Sequence, residues 1–137
     1  MTNFKLWVPG IPVPEGNLSV NKRGQIYHTD DKRLNEWRFA IAWRARNAMR
    51  ENNAAIHAGP VVLKVQFIRY RPKALTAKKQ TPPAIMKPDL DKLERAVLDS
   101  LTHHVYLDDS QVVDCHCRKR VAEFGEKTGV IIRVELR

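Results

Sequence analysis

The 137-residue chain has no apolar run approaching the roughly 20 residues that a membrane helix needs. No membrane association is expected. Its first residues, MTNFKLWVPGIPVP, break on prolines and lack an apolar h-region, so no signal peptide is read there. Internal repeats of 20–50 residues are absent. Cysteine is scarce. The two that occur, Cys115 and Cys117, flank His116 in VVDCHCRKR, a segment with period-two character. On a strand both thiols would point one way and His116 the other, so the three cannot meet on one zinc ion. Neighbours at this spacing do not easily form an unstrained disulfide. They read as small buried residues of a reducing, cytoplasmic compartment.

Acid is scarce too. The chain carries 15 Asp+Glu against 24 Lys+Arg, a net charge of +9. From Asn52 through Pro88 there is no acidic residue, while Lys64, Arg69, Arg71, Lys73, Lys78, Lys79 and Lys87 fall in that stretch. Such an excess points to a polyanionic partner, most simply nucleic acid. Within it, PKALTAKKQTPPAIMKP contains four prolines and four lysines. It reads as a flexible basic loop over residues 72–88, either a solvated insertion or an arm that grips phosphates.

What is present is enough for one core: 43% of residues are hydrophobic and 28% charged, which fits one small domain over residues 1–137. Phe4, Leu6 and Val8 alternate as a strand. NKRGQIY reads as a hairpin within a Pro/Gly/Asn-rich loop. Residues 31 to about 52 lack Gly and Pro, and Leu34, Trp37, Ile41, Ala45 and Ala48 form a helical stripe. Phe39 and Trp43 lie off that stripe and mark a second packing surface, with a subunit contact as one reading. Val61, Leu63, Val65 and Phe67 alternate as a second main strand. Leu90, Leu93, Val97 and Leu101 give a second helix from about Leu90 to Thr102. A strand from about Gln111 to Val121, with Val113, Cys115, Cys117 and Val121 on one face, precedes a last strand with Val130, Ile132, Val134 and Leu136. The order implies an α/β domain with a mixed β-sheet and two α-helices packed on one face.

Against the basic background, carboxylates gather around the second helix. KPDLDKLERAVLDSL places Asp89 and Asp91 at its mouth, and Asp108 and Asp109 follow in LDDSQVV. If the short THHVYL return carries the chain back along the helix, the two pairs meet. Clustered carboxylates repel one another, and a hard cation such as Mg²⁺ relieves that conflict. Such an ion can polarise a phosphodiester and activate a water. The alternative is ordinary structure: Asp89 as an N-cap, Asp91 as a first-turn residue, Asp108–Asp109–Ser110 as a turn, and Asp91, Arg95 and Asp99 as an ion-pair ladder.

The spaced acids from Lys87 to Asp114, together with Leu101 and Gln111, resemble the signature of the RusA-type Holliday junction resolvases, a family common in phages and prophages. The pattern, roughly K-P-D-x-D-N-x-x-K-x-x-x-D-x-L followed by D-D-x-Q-[IV], covers about 28 residues of this chain. The resemblance implies a small homodimeric α/β endodeoxyribonuclease that cuts four-way DNA junctions symmetrically with Mg²⁺ or Mn²⁺, in recombination and repair. It maps the catalytic acids to Asp89, Asp91 and Asp109, with Asp108 as a further metal ligand. The family's catalytic lysine position is Arg95 here, and its Asn after the second Asp is Lys92. Arginine keeps the positive charge but does not donate a proton at neutral pH. DNA contacts are expected from Lys73, Lys78, Lys79, Lys87, Lys92, Arg69, Arg71 and Arg118. Those departures motivate a second reading, a non-catalytic structure-selective DNA-binding protein on the same scaffold. A third is a basic assembly protein whose acids are only caps.

Overall fold

A computed structural model describes residues 1–16, 18–20, 22–28 and 31–137. Its elements are β1 (Thr2–Pro9), β2 (Leu18–Val20), β3 (Ile26–His28), α1 (Asp31–Glu51), β4 (Val61–Arg69), α2 (Leu90–Leu101), β5 (Val112–Val121) and β6 (Gly129–Leu136). The expected caps of α1, Thr29 and Asp30, lie outside the described residues. β2 and β3 pair as the small antiparallel hairpin expected around NKRGQIY.

The other strands form one mixed sheet in the order β1-β6-β4-β5. β6 runs antiparallel to both β1 and β4, and β4 pairs in parallel with β5. A parallel pair needs a crossover, and α2 lies in the one that joins β4 to β5. The inward faces of β1, β4 and β6 supply Leu6, Val8, Leu63, Val65, Phe67, Val130, Ile132 and Val134 to one core. Leu34, Trp37, Ile41 and Ala45 of α1 and Leu93, Ala96, Val97 and Leu101 of α2 close over it. Both helices therefore cover one face of the sheet, as the periodicities predict. Burial of each large side chain among these contributes about 1.5–3 kcal/mol.

One strand departs from its expected parity. Val61 pairs with Val112, but Val62 pairs with Asp114, so the register shifts between them. Val113 is the extra residue and is 62% exposed, whereas Val112 packs against the core. A bulge of this kind leaves one residue unpaired and changes which side chains face inward. Beyond it the alternation recovers, with Cys115, Cys117 and Val121 inward.

Among the described residues, no helix covers the other face of the sheet. Lys5 lies opposite Arg133, Arg133 opposite Lys64, and Lys64 opposite His116. These four side chains make a cross-strand row spanning all four strands. The adjacent row, on the side of the β4 C-terminus, is Trp7, Ile131, Gln66 and Arg118.

Candidate active site and nucleic-acid surface

The mouth of α2 is built by its neighbours. Asp89 occupies the N-cap with extended backbone, φ −67° and ψ 143°, yet its side chain makes no capping hydrogen bond. An aspartate in this position normally accepts from a backbone N–H of the first turn. Asp91 follows in that turn and is exposed. The approach to Asp89 is pinned from beneath: Lys119 Nζ, on the inward face of β5, donates to Met86 O at 2.8 Å and Pro88 O at 2.9 Å. A lysine in the run Arg118–Arg120 thus positions the entry to the helix, a role its sequence context does not disclose.

Cations crowd this end. Asp89 lines a cleft of about 310 Å³ with Arg33, Arg69, Lys87 and Lys92, walled by Ile11, Pro12 and Pro14. Arg69 donates to Pro12 O at 3.2 Å, and its charge is disfavoured first by burial and then by the nearby Arg33. Arg69, Lys87 and Lys92 around one carboxylate leave positive charge to spare for a phosphate.

The second acidic pair lies elsewhere. Asp108 is the N-cap of a 3-10 turn, Asp109–Gln111, and there the capping box is complete. Its Oδ1 accepts from Ser110 N at 2.8 Å, and Gln111 Oε1 accepts from Asp108 N at 3.0 Å. The bonds from Ser110 hold the Asp108 carboxyl below its usual range. Gln111 also donates through Nε2 to His57 O and Gly59 O, anchoring the turn to the segment before β4. Asp108 and Asp109 line a cavity with Arg38, Asp99, Thr102, His103 and His104. Thr102 is the C-cap of α2, and Tyr106 Oη donates to Leu98 O at 2.8 Å, so the return stays at the helix's C-terminal end. A twelve-residue helix is about 18 Å long. Within one chain the two acid pairs flank opposite ends of α2.

The oxygen chemistry of all four aspartates suits a hard cation, but a single ion shared by both pairs does not fit this arrangement. Asp89 and Asp91 alone satisfy the simpler requirement of a hydrated Mg²⁺, which takes one or two carboxylates and retains waters. Among the described residues, the group of three or more metal-binding side chains with ligand atoms within 4.8 Å of one another is a different one: Glu94, Cys115 and Cys117.

Arg95 is exposed on α2, one turn beyond Asp91. Lys92 is half-buried, and its backbone oxygen accepts from Glu15 N at 3.0 Å. No motif or periodicity singles out Glu15. Its Oε1 meets Arg38 Nη1 at 3.5 Å, while Oε2 is buried without a donor. Burial, then the neighbouring Asp99, push its carboxyl up to about 7, against the opposing pull of Arg38 and Arg95.

Residues 75–81 of the basic stretch gather around one side chain. Arg71 donates to Leu75 O, Thr81 Oγ1, Ala122 O, Thr76 O and Lys79 O. Its guanidinium is committed to holding the loop, which leaves Lys73, Lys78, Lys79 and Lys87 exposed around it. Arg118 is exposed on the open sheet face. Two shallow depressions on that face, about 680 and 480 Å³, share Lys64, His116 and Arg133. Lys5, Lys64 and Arg133 escape a reading of the sequence as a group because cross-strand register joins them, not sequence proximity.

Comparison with known proteins decides what this arrangement belongs to. Residues 9–135 match the family described as Endodeoxyribonuclease RusA. The chain belongs to the RusA endodeoxyribonuclease family. The match spans nearly the whole domain, well beyond the acidic signature, and RusA membership indicates endodeoxyribonuclease activity. The chain is also 32% identical over 132 residues to the uncharacterized protein YqaN of Bacillus subtilis (strain 168), a similarity covering 90% of this chain and 91% of that one. Among the described residues, no helix is long and apolar enough to cross a membrane.

Proposed function

We propose that this RusA-family protein is a Mg²⁺-dependent endodeoxyribonuclease that resolves four-way DNA junctions in recombination and repair, with Mn²⁺ able to replace Mg²⁺. The observation that carries the site assignment is the uncommitted carboxylate of Asp89: it stands at an N-cap without capping, beside Asp91 and inside a ring of cations. Asp89 and Asp91 would hold the ion. Bound there, it would supply Lewis-acid polarisation of the phosphodiester and an activated water.

The chain's own groups do the rest of the work in this reading. Lys87, Lys92 and Arg69 orient the scissile strand by its phosphates. Arg95 offsets negative charge developing on the phosphate and, because it stays protonated, does not serve as the proton donor. Exposed Lys73, Lys78 and Lys79 extend the grip along one arm. The row Lys5, Arg133, Lys64 and His116, with Arg118 beside it, offers a second stretch of positive potential. Asp109, with Asp108 next to it, is assigned to the catalytic set on the strength of the signature, and its place at the far end of α2 calls for its own test.

Symmetric cutting of a junction needs two sites related by a two-fold, so the working unit is a homodimer. Phe39 and Trp43, 71% and 53% exposed on α1, are the proposed contact. Junction cleavage assayed separately for Asp89→Asn, Asp91→Asn and Asp109→Asn tests the assignments. Each is expected to bind junctions and to lose cleavage by about 100-fold or more, since even outer-sphere changes at metal sites cost 10–100-fold. A variant that cuts like wild type removes its residue from the set. Wild type that binds junctions but never nicks them with either ion would instead support the non-catalytic DNA-binding reading.

A further inference from the structure

Glu94 projects from α2 toward the edge strand β5, where Cys115 and Cys117 both face inward. Their thiols stand 3.6 Å apart, and both are free. A carboxylate oxygen of Glu94 completes a set of three ligand atoms, all within 4.8 Å of one another and all half-buried. The spacing distinguishes two chemistries. A disulfide requires sulfurs about 2.0 Å apart in a specific dihedral geometry, which neighbours at i and i+2 on one strand do not easily supply. Two thiolates on one tetrahedral ion, with metal–sulfur bonds of about 2.3 Å, stand about 3.8 Å apart. The observed separation matches the second.

We propose that Glu94, Cys115 and Cys117 form a site for a borderline-soft divalent cation of the zinc class, with water in the fourth position. Thiolates select such an ion over Mg²⁺, which prefers oxygen ligands and octahedral geometry. Binding converts two thiols to thiolates and releases two protons to solvent, so apparent affinity rises with pH. Position on an edge strand gives the ion a path in. Glu94 is three residues after Asp91, so an ion here clips the helix that carries the catalytic acids to β5. The assignment does not depend on the nuclease reading.

The test uses the full chain, reduced and stripped of metal by chelator, titrated with Co²⁺ as a spectroscopic probe. Thiolate-to-cobalt charge-transfer absorption is expected to saturate at a single equivalent, to vanish on adding Zn²⁺, and to resist excess Mg²⁺. The Cys115→Ser/Cys117→Ser double variant should lose the band. Glu94→Gln, which leaves the strand untouched, should weaken Co²⁺ binding by about tenfold or more. The proposal is overturned if reduced wild type gives no charge-transfer band in excess Co²⁺, or if the band survives in the double-cysteine variant. Unchanged affinity in Glu94→Gln would overturn the three-ligand assignment.

Discussion

Asp89 and Asp108 occupy the same kind of backbone position, an N-cap, with opposite side-chain commitments. Asp108 closes a reciprocal capping box. Asp89 leaves its carboxylate free of that duty. Asp108→Ala should therefore lower the thermal midpoint, while Asp89→Ala should leave it nearly unchanged and remove cleavage; thermal melts of both variants check this. Glu15 supplies a pH prediction. Its carboxyl is raised from 4.5 to about 7 in the folded state. Between those values the folded chain holds a proton that the unfolded chain has released, so stability falls as pH rises through that window and levels off above it. Glu15→Gln cannot lose that proton. Its denaturant midpoint should fall less than that of wild type between pH 5 and pH 8. Identical pH dependence in the two proteins would contradict the raised Glu15 carboxyl.

At the scale of elements, most of the fold was legible. The stripe Leu34, Trp37, Ile41, Ala45 and Ala48 is the buried face of α1, and alternation at Val61, Leu63, Val65 and Phe67 is the inward face of β4. Periodicity reports such faces because a helix or strand has one geometry. It does not report a bulge, so it places Val113 on the wrong face of β5. Nor does it report the direction of a return. The THHVYL segment permitted the acids to meet, but Tyr106 fastens it to the C-terminal end of α2. The loop 72–88 shows a further limit, because Arg71 and Lys119, which lie outside it, hold its carbonyls. Arg71→Ala should free Leu75, Thr76, Lys79 and Ala122 carbonyls from their partner. Trypsin should then cut at Lys73, Lys78 and Lys79 several-fold faster than in wild type, while cleavage elsewhere stays slow; equal rates would show that the loop is held by something else.

At the scale of the molecule, the charge asymmetry resolves into two places. One is the cleft around Asp89, and the other is the open sheet face, where residues far apart in sequence align in register. A net charge of +9 signals a polyanion, but it does not say which face carries the charge. If both places bind phosphates, Lys64→Glu/Arg133→Glu should weaken junction binding and lower the salt slope by about one unit for every phosphate left without its cation. An unchanged slope would confine binding to the α2 side. The family assignment rests on the whole-domain match, and the proposed reaction rests on the acids at the mouth of α2. The most direct measurement is cleavage of a four-way junction and of a matched linear duplex at one stated salt concentration, with Mg²⁺, by wild type and Asp91→Asn. Paired symmetric nicks in the junction alone, made by wild type and abolished in Asp91→Asn, are the predicted result. Equal cutting by both proteins, or no cutting of a junction that wild type binds, would contradict it.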